Sequence, residues 1–230
     1  MNSLIFRQLF DSKSSTYTYI LADKETHEGV IIDTVKEQHE RDLKFINELG
    51  IKILYTLETH VHADHITGAG LLRKALGCKI MVSSASGAKN ADQTYKEGDV
   101  IKFGRHSLKV MATPGHTDSC TSFYIPGMVF TGDTLLVRAC GRTDFQQGSP
   151  EKMYDNIHKK LFTLPDDTLL YPAHNYIGVT CSSIGEEKQY NPRIKLTNTR
   201  EQFVEIMNNL KLDKPAQIDV ALPANMNSGL

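Results

Sequence analysis

Three imidazoles and a carboxylate fall within six residues in Thr59-His60-Val61-His62-Ala63-Asp64-His65. An apolar run, Ile51 to Leu57, leads into this cluster and reads as a buried strand. Ile66 to Leu76 follows it with apolar residues at helical spacing. The cluster therefore occupies the turn between a strand end and a helix start, where α/β sheets present their chemistry. Neutral imidazole and carboxylate are ligand groups for first-row metals.

The same device recurs along the chain. Leu4 to Phe10, Tyr17 to Ala22 and Gly29 to Ile32 read as successive strands, the third closed by Asp33. Glu37 to Leu49 reads as a helix stopped by Gly50. Short strands are expected at Lys79 to Val82, Val100 to Phe103 and Ser107 to Ala112, the last ending at Thr113-Pro114-Gly115-His116. Ser122 to Ile125 and Met128 to Thr131 form a hairpin turned by Pro126-Gly127 and ending at Gly132-Asp133. Pro150 to Leu161 is a helix with proline in its first turn. Thr168 to Tyr171 is a strand ending at Pro172-Ala173-His174. A last helix covers Thr199 to Leu210, with a capping box expected from Thr197 or Asn198 to Glu201. Strand after strand ends in a potential ligand: Asp33, His60, His116, Asp133, His174. Such a set points to a metal site. No linker or repeat interrupts the chain, so residues 1–230 are expected to form one domain.

Composition narrows the function classes. With Lys+Arg 26 against Asp+Glu 27, nothing favours nucleic acid or an anionic membrane. No apolar stretch approaches the roughly 18 residues of a membrane span. Cys78, Cys120, Cys140 and Cys181 form no C-x-x-C pair and suggest free thiols in a reducing compartment. The N-terminal residues show no targeting pattern, and together these features predict a cytoplasmic protein.

The ordered motifs H-x-H-x-D-H, T-P-G-H-T, T-G-D-T and P-A-H, with Asp33 before them, resemble those of the metallo-β-lactamase superfamily. The resemblance implies an α/β fold, an αββα four-layer sandwich with the metal site at one edge. Two further stretches narrow it: Gly141-Arg142-Thr143-Asp144-Phe145-Gln146-Gln147-Gly148, and Pro215 to Asn225 with its Leu222-Pro223-Ala224-Asn225 end. Both are similar to the persulfide dioxygenases, over essentially the whole chain. That family implies oxidation of glutathione persulfide by O2 to sulfite and glutathione at one non-haem Fe(II) per chain. It further implies iron ligation by His60, His116 and Asp133, two histidines and one carboxylate, a set that suits Fe(II) and leaves positions open.

On the same resemblance His62, Asp64, His65 and His174 become groups that orient the ligands by hydrogen bonds, and Asp33 a buttress beneath the site. These four are also the residues a dinuclear hydrolase would use. The alternative is therefore a thioester hydrolase of the glyoxalase II type with two metals. Arg142 and Tyr176 match positions that contact glutathione in those hydrolases, so Arg142 is expected to meet a substrate carboxylate. Arg193 is a weaker candidate for the same task, and Cys140 is expected to be a buried thiol. The partners implied are the small-molecule persulfide and O2. A homodimer is compatible with the sequence, and any sulfurtransferase partner would be a separate chain, because no rhodanese-like segment is present in this sequence.

Overall fold

The computed structural model describes residues 3–215 and 217–230. Ala216, inside the C-terminal string above, lies outside the described residues, as do Met1 and Asn2.

Two six-stranded sheets stand face to face. The first runs in the order β1 (Leu4–Asp11), β2 (Thr16–Asp23), β3 (Glu28–Ile32), β4 (Lys52–Leu57), β5 (Lys79–Ser83), β6 (Gln93–Tyr95). The second runs β12 (Ser182–Ser183), β11 (Leu169–Pro172), β10 (Met128–Gly132), β9 (Thr121–Ile125), β8 (His106–Ala112), β7 (Val100–Phe103). Helices α1 (His39–Glu48) and α2 (Ala69–Leu76) follow β3 and β4. Helices α3 (Pro150–Lys159), α4 (Ile184–Tyr190) and α5 (Arg200–Asn208) come later in the chain, and α6 (Ile218–Asn225) follows them.

Strand alternation dictates the layers, because successive side chains point to opposite faces. Tyr19 and Leu21 of β2, Val30 and Ile32 of β3, and Phe130 of β10 enter one core between the sheets, with Phe103, Leu108, Val110 and Phe123. Their neighbours Ile20, Ala22 and Ile31 face outward and pack with Ile46 of α1 and Leu72 of α2. On the other side Val129 and Leu170 meet Met153 and Ile157 of α3 and Phe203 and Met207 of α5. The result is the four-layer αββα sandwich of the metallo-β-lactamase fold.

Several expected boundaries move for identifiable reasons. Helix α2 begins at Ala69 rather than Ile66, because residues 66–68 are drawn into tertiary hydrogen bonds: Lys36 N–H to Ile66 O at 2.8 Å and Gly68 N–H to Thr34 O at 3.2 Å. The capping box of α5 is formed by Thr199 and Gln202, not by Thr197 or Asn198 with Glu201. Lys36–Gln38 is a 3-10 turn ahead of α1.

One buried charge on α1 has a measurable consequence. The Asp42 side chain is fully buried, and Arg41 Nε and Nη2 donate to its Oδ1 at 3.0 and 2.8 Å. Its Oδ2 has no partner among the described residues. Burial, opposed by Arg41, pushes this carboxyl from 3.8 up to about 6. The folded state then binds its proton more tightly than the unfolded state, so stability falls as pH rises from about 4 to about 6. Asp42→Asn is expected to remove that slope and to exceed the parent by about 1–3 kcal/mol at neutral pH. Urea midpoints at pH 4 and pH 7 test this, and a difference that is the same at both would contradict it.

Candidate metal centre

The C-terminal ends of β3, β4, β8, β10 and β11 converge at one edge of the sandwich. In the first sheet β3 and β4 are parallel. In the second, β8 and β10 are each antiparallel to β9, and β10 is parallel to β11. Each strand therefore delivers its following residue to the same end: Asp33, the 58–65 turn, His116, Asp133 and His174. A hydrogen bond from Thr121 N–H to Thr59 O at 2.8 Å stitches the sheets together there.

His60, His116 and Asp133 offer ligand atoms that all lie within 4.8 Å of one another. The tautomers follow from the partners. His60 Nδ1 donates to Thr59 Oγ1 at 3.0 Å, since that hydroxyl spends its own proton on Asp33 Oδ2 at 2.8 Å. His116 Nδ1 donates to Arg142 O at 2.6 Å. Each ring is left with its Nε2 lone pair, the state a metal requires. Burial holds the His60 imidazole well below its ordinary pKa, and therefore neutral. Burial alone would raise Asp133, but the charge and hydrogen bond of His174 outweigh it and keep the carboxylate ionised. Two neutral imidazoles and a carboxylate make a donor set that fits a divalent first-row metal.

Backbone approach around this set is too close for side chains at two glycines. Gly132 sits at φ +54, and a Cβ there would meet Thr59 Oγ1 at 2.5 Å. A Cβ on Gly141 would lie 2.4 Å from Asp133 O and 2.9 Å from the His116 ring.

The second expected group is also assembled. His62, Asp64, His65 and His174 bring ligand atoms within 4.8 Å of one another. His174 links the two groups, Nδ1 to Asp133 Oδ1 at 2.6 Å and Nε2 to Asp64 Oδ2 at 2.9 Å. His65 Nδ1 reaches the same Asp64 oxygen at 2.8 Å. His62 Nδ1 and His65 Nε2 are buried without a partner among the described residues. Asp33 lies below, in the left-handed region at φ 52. Its carboxylate accepts from Thr59 N–H at 2.7 Å and His62 Nε2 at 3.1 Å.

An open pocket of about 460 Å³ rises over His116, Asp133, Asp64 and His174. Tyr176 stands at its rim, 74% exposed, its ring stacked on His174 with 6.2 Å between centroids. Arg142 lines the pocket too, but not as the open cation the sequence suggests. Its Nε and Nη2 grip Asp144 at 2.7 and 2.8 Å, and Nη1 and Nη2 donate to Asp213 O and Leu212 O at 2.6 and 3.3 Å. Its face lies 4.4 Å from the Phe145 ring centroid. With four of five N–H groups engaged, Arg142 is a wall that ties the 141–148 loop to residues 212–213. The guanidinium of Arg193, the weaker sequence candidate, spends one Nη1 bond on Cys140 O at 2.7 Å and has no other oxygen partner among the described residues. Lys13, which the sequence did not single out, shares this pocket. The Cys140 thiol is buried, and burial raises it to about 11.

Sequence reasoning assigned no role to Gln146, whose carboxamide donates to Val61 O between His60 and His62 at 2.8 Å. Nor did it assign one to Asn225. Both stood inside strings that carry the family resemblance, but neither is a metal-ligand type.

Residues 13–174 match the model of the metallo-beta-lactamase superfamily. The protein named "Persulfide dioxygenase ETHE1, mitochondrial" of Homo sapiens is 52% identical over 230 residues, covering 99% of this chain and 89% of that one. The crystal structure of ETHE1 from Myxococcus xanthus superposes with a TM-score of 0.96 at 49% identity, covering 98% of this chain and 100% of that one. A hydroxyacylglutathione hydrolase of Brucella ovis is more distant, 35% identical over 171 residues, 73% of this chain and 65% of that one. On these grounds the chain belongs to the persulfide dioxygenase family of the metallo-β-lactamase superfamily.

Proposed function

We propose that this protein is an oxidoreductase that converts glutathione persulfide, O2 and water to sulfite and glutathione, with one iron(II) held by His60, His116 and Asp133. The observation that carries this reading is the donor set itself: two Nε2 lone pairs and one carboxylate within 4.8 Å of one another, with His116 and Asp133 lining a pocket open to substrate. When bound there, iron(II) supplies a redox-active centre with open positions for substrate and O2.

The chain's own residues do the rest. Thr59 and the Arg142 carbonyl fix the ring orientations of His60 and His116. His174 fixes one oxygen of Asp133 and leaves the other facing His116, 3.6 Å from its Nε2. Asp33 holds Thr59 and His62 from beneath. At the rim, Arg193 and Lys13 offer positive charge to the two carboxylates of glutathione, and Tyr176 offers a hydroxyl. A separate sulfurtransferase that hands over persulfide sulfur is the partner this reading calls for. The four unpaired thiols suit a reducing compartment, in our reading the cytoplasm.

The hydrolase alternative draws on one observation, the unpartnered nitrogens of His62 and His65 beside Asp64. A second metal would use them. Metal analysis of anaerobically purified protein separates the readings: we expect iron near one per chain, and a stoichiometric metal pair would favour the hydrolase.

Arg193→Ala tests recognition. Losing a charge-assisted contact costs roughly 1.5–3 kcal/mol, or about ten- to a hundredfold in kcat/KM. We expect that loss in KM for glutathione persulfide with iron content unchanged. An unaltered KM would remove Arg193 from the substrate site.

A further inference from the structure

The turn that carries the histidines has no backbone ladder of its own. Among the described residues, no backbone hydrogen bond joins one member of the 60–67 segment to another. Its conformation must therefore be imposed from outside, since buried backbone groups need partners. Much of that task falls to one side chain on α6.

Asn225 is the last residue of α6 and is 6% exposed. Its Nδ2 donates to His62 O and to His65 O, both at 2.8 Å. Its Oδ1 accepts from Thr67 N–H at 2.8 Å. Both amide protons are spent on carbonyls and the oxygen on an N–H, so the orientation of the carboxamide is unambiguous. These three bonds fix the path of residues 62–67, just ahead of α2.

We infer that Asn225 is a positioning residue of the metal centre, acting through the backbone of residues 62–67 to aim the side chains of the H-x-H-x-D-H turn. This rests on the reading of His60, His116 and Asp133 as the metal ligands. Asn225 touches neither metal nor substrate; it sets the backbone that carries His62, Asp64 and His65, and Asp64 reaches the ligand carboxylate Asp133 through His174. Outer partners of this kind, when removed, cost about ten- to a hundredfold in metal affinity.

The test uses cobalt(II) titration of the metal-free full-length protein, read by visible absorption and by binding affinity, so it does not depend on turnover. Asn225→Asp keeps the size but turns a carboxylate toward two carbonyl oxygens. Asn225→Ala removes all three bonds. Ser228→Ala serves as a control: its hydroxyl donates to Lys89 O at 2.8 Å, so it anchors the same segment without touching the turn. His116→Ala reports on the ligand set itself. We expect both Asn225 variants to bind cobalt about ten- to a hundredfold more weakly with altered bands. Ser228→Ala should retain affinity and bands while melting at a lower temperature.

A folded Asn225→Asp protein with parental affinity and bands, alongside a deficient His116→Ala, overturns the inference. So does a Ser228→Ala protein that loses as much affinity as the Asn225 variants. Full cobalt binding by His116→Ala instead overturns the ligand assignment. Should the Asn225 variants fail to fold, hydrogen exchange of the unaltered protein decides: the Thr67 amide should be as protected as the amides of β4, and exchange at the rate of an exposed loop overturns the inference.

Discussion

His116→Ala is expected to emerge from anaerobic purification without stoichiometric iron and with kcat/KM on persulfide lowered by at least about a thousandfold, equivalent to about 4 kcal/mol of barrier. The ring contributes one of two nitrogen ligands, and its Nδ1 bond to Arg142 O also ties the 141–148 loop to the site. Removing it leaves one histidine and one carboxylate. Circular dichroism should be unchanged, because the residue lines the pocket and belongs to none of the apolar cores between and outside the sheets. Iron content by elemental analysis, measured with O2 uptake, checks the outcome. Full iron occupancy in this variant would make the ligand assignment wrong.

Arg138→Ala is expected to destabilise the fold by about 3–5 kcal/mol, the usual cost of leaving a buried charge without its partner. Glu187 is fully buried on α4. It accepts from Arg138 Nη1, from Arg138 N–H at 2.9 Å, from Ser182 Oγ at 2.6 Å and from Asn191 Nδ2 at 2.8 Å. Asn191 in turn donates to Ala139 O at 3.0 Å and accepts from Arg193 N–H at 3.0 Å. The network thus supports the pocket wall from Ala139 to Arg193. Replacing both partners with apolar residues, Arg138→Met with Glu187→Leu, should recover much of the loss, because no charge is then stranded. Urea unfolding of the single and double variants measures this. A single variant within 1 kcal/mol of the parent, on the scale of an exposed ion pair, would show that Glu187 is adequately satisfied without its guanidinium.

The layered fold was legible because β2, β3 and β10 read as short apolar, β-branched runs, as strands buried on both faces must, and because the ordered ligand motifs resemble those of the superfamily. The elements that escaped lack such a pattern. Strand β6 is three residues, Gln93–Tyr95, and β12 is two serines, too short for any period. Helix α6 contains Pro223, which ordinarily ends a helix. Helix α4 carries glycine at its second position, yet its start was signalled by Ser183, whose hydroxyl accepts from Glu186 N–H. At the site, residue types pointed to the strand-end ligands, since imidazole and carboxylate announce their chemistry. Partner choice was not legible. Arg142 finds Asp144 two residues away and carbonyls some seventy residues on, and only the fold brings those together. Asn225 contacts the turn across about 160 residues of sequence, and a carboxamide advertises no metal role.

The central claim is the reaction, and it is tested most directly by an oxygen electrode with parallel sulfite detection on iron-loaded protein supplied with glutathione persulfide. A lactoyl-glutathione thioester is offered to the same sample in an absorbance assay. The account predicts O2 consumed and sulfite formed in equal amounts on persulfide, with little or no thioester hydrolysis. Rapid thioester hydrolysis with no O2 uptake on persulfide would contradict it and favour a dinuclear hydrolase built on the same strand ends.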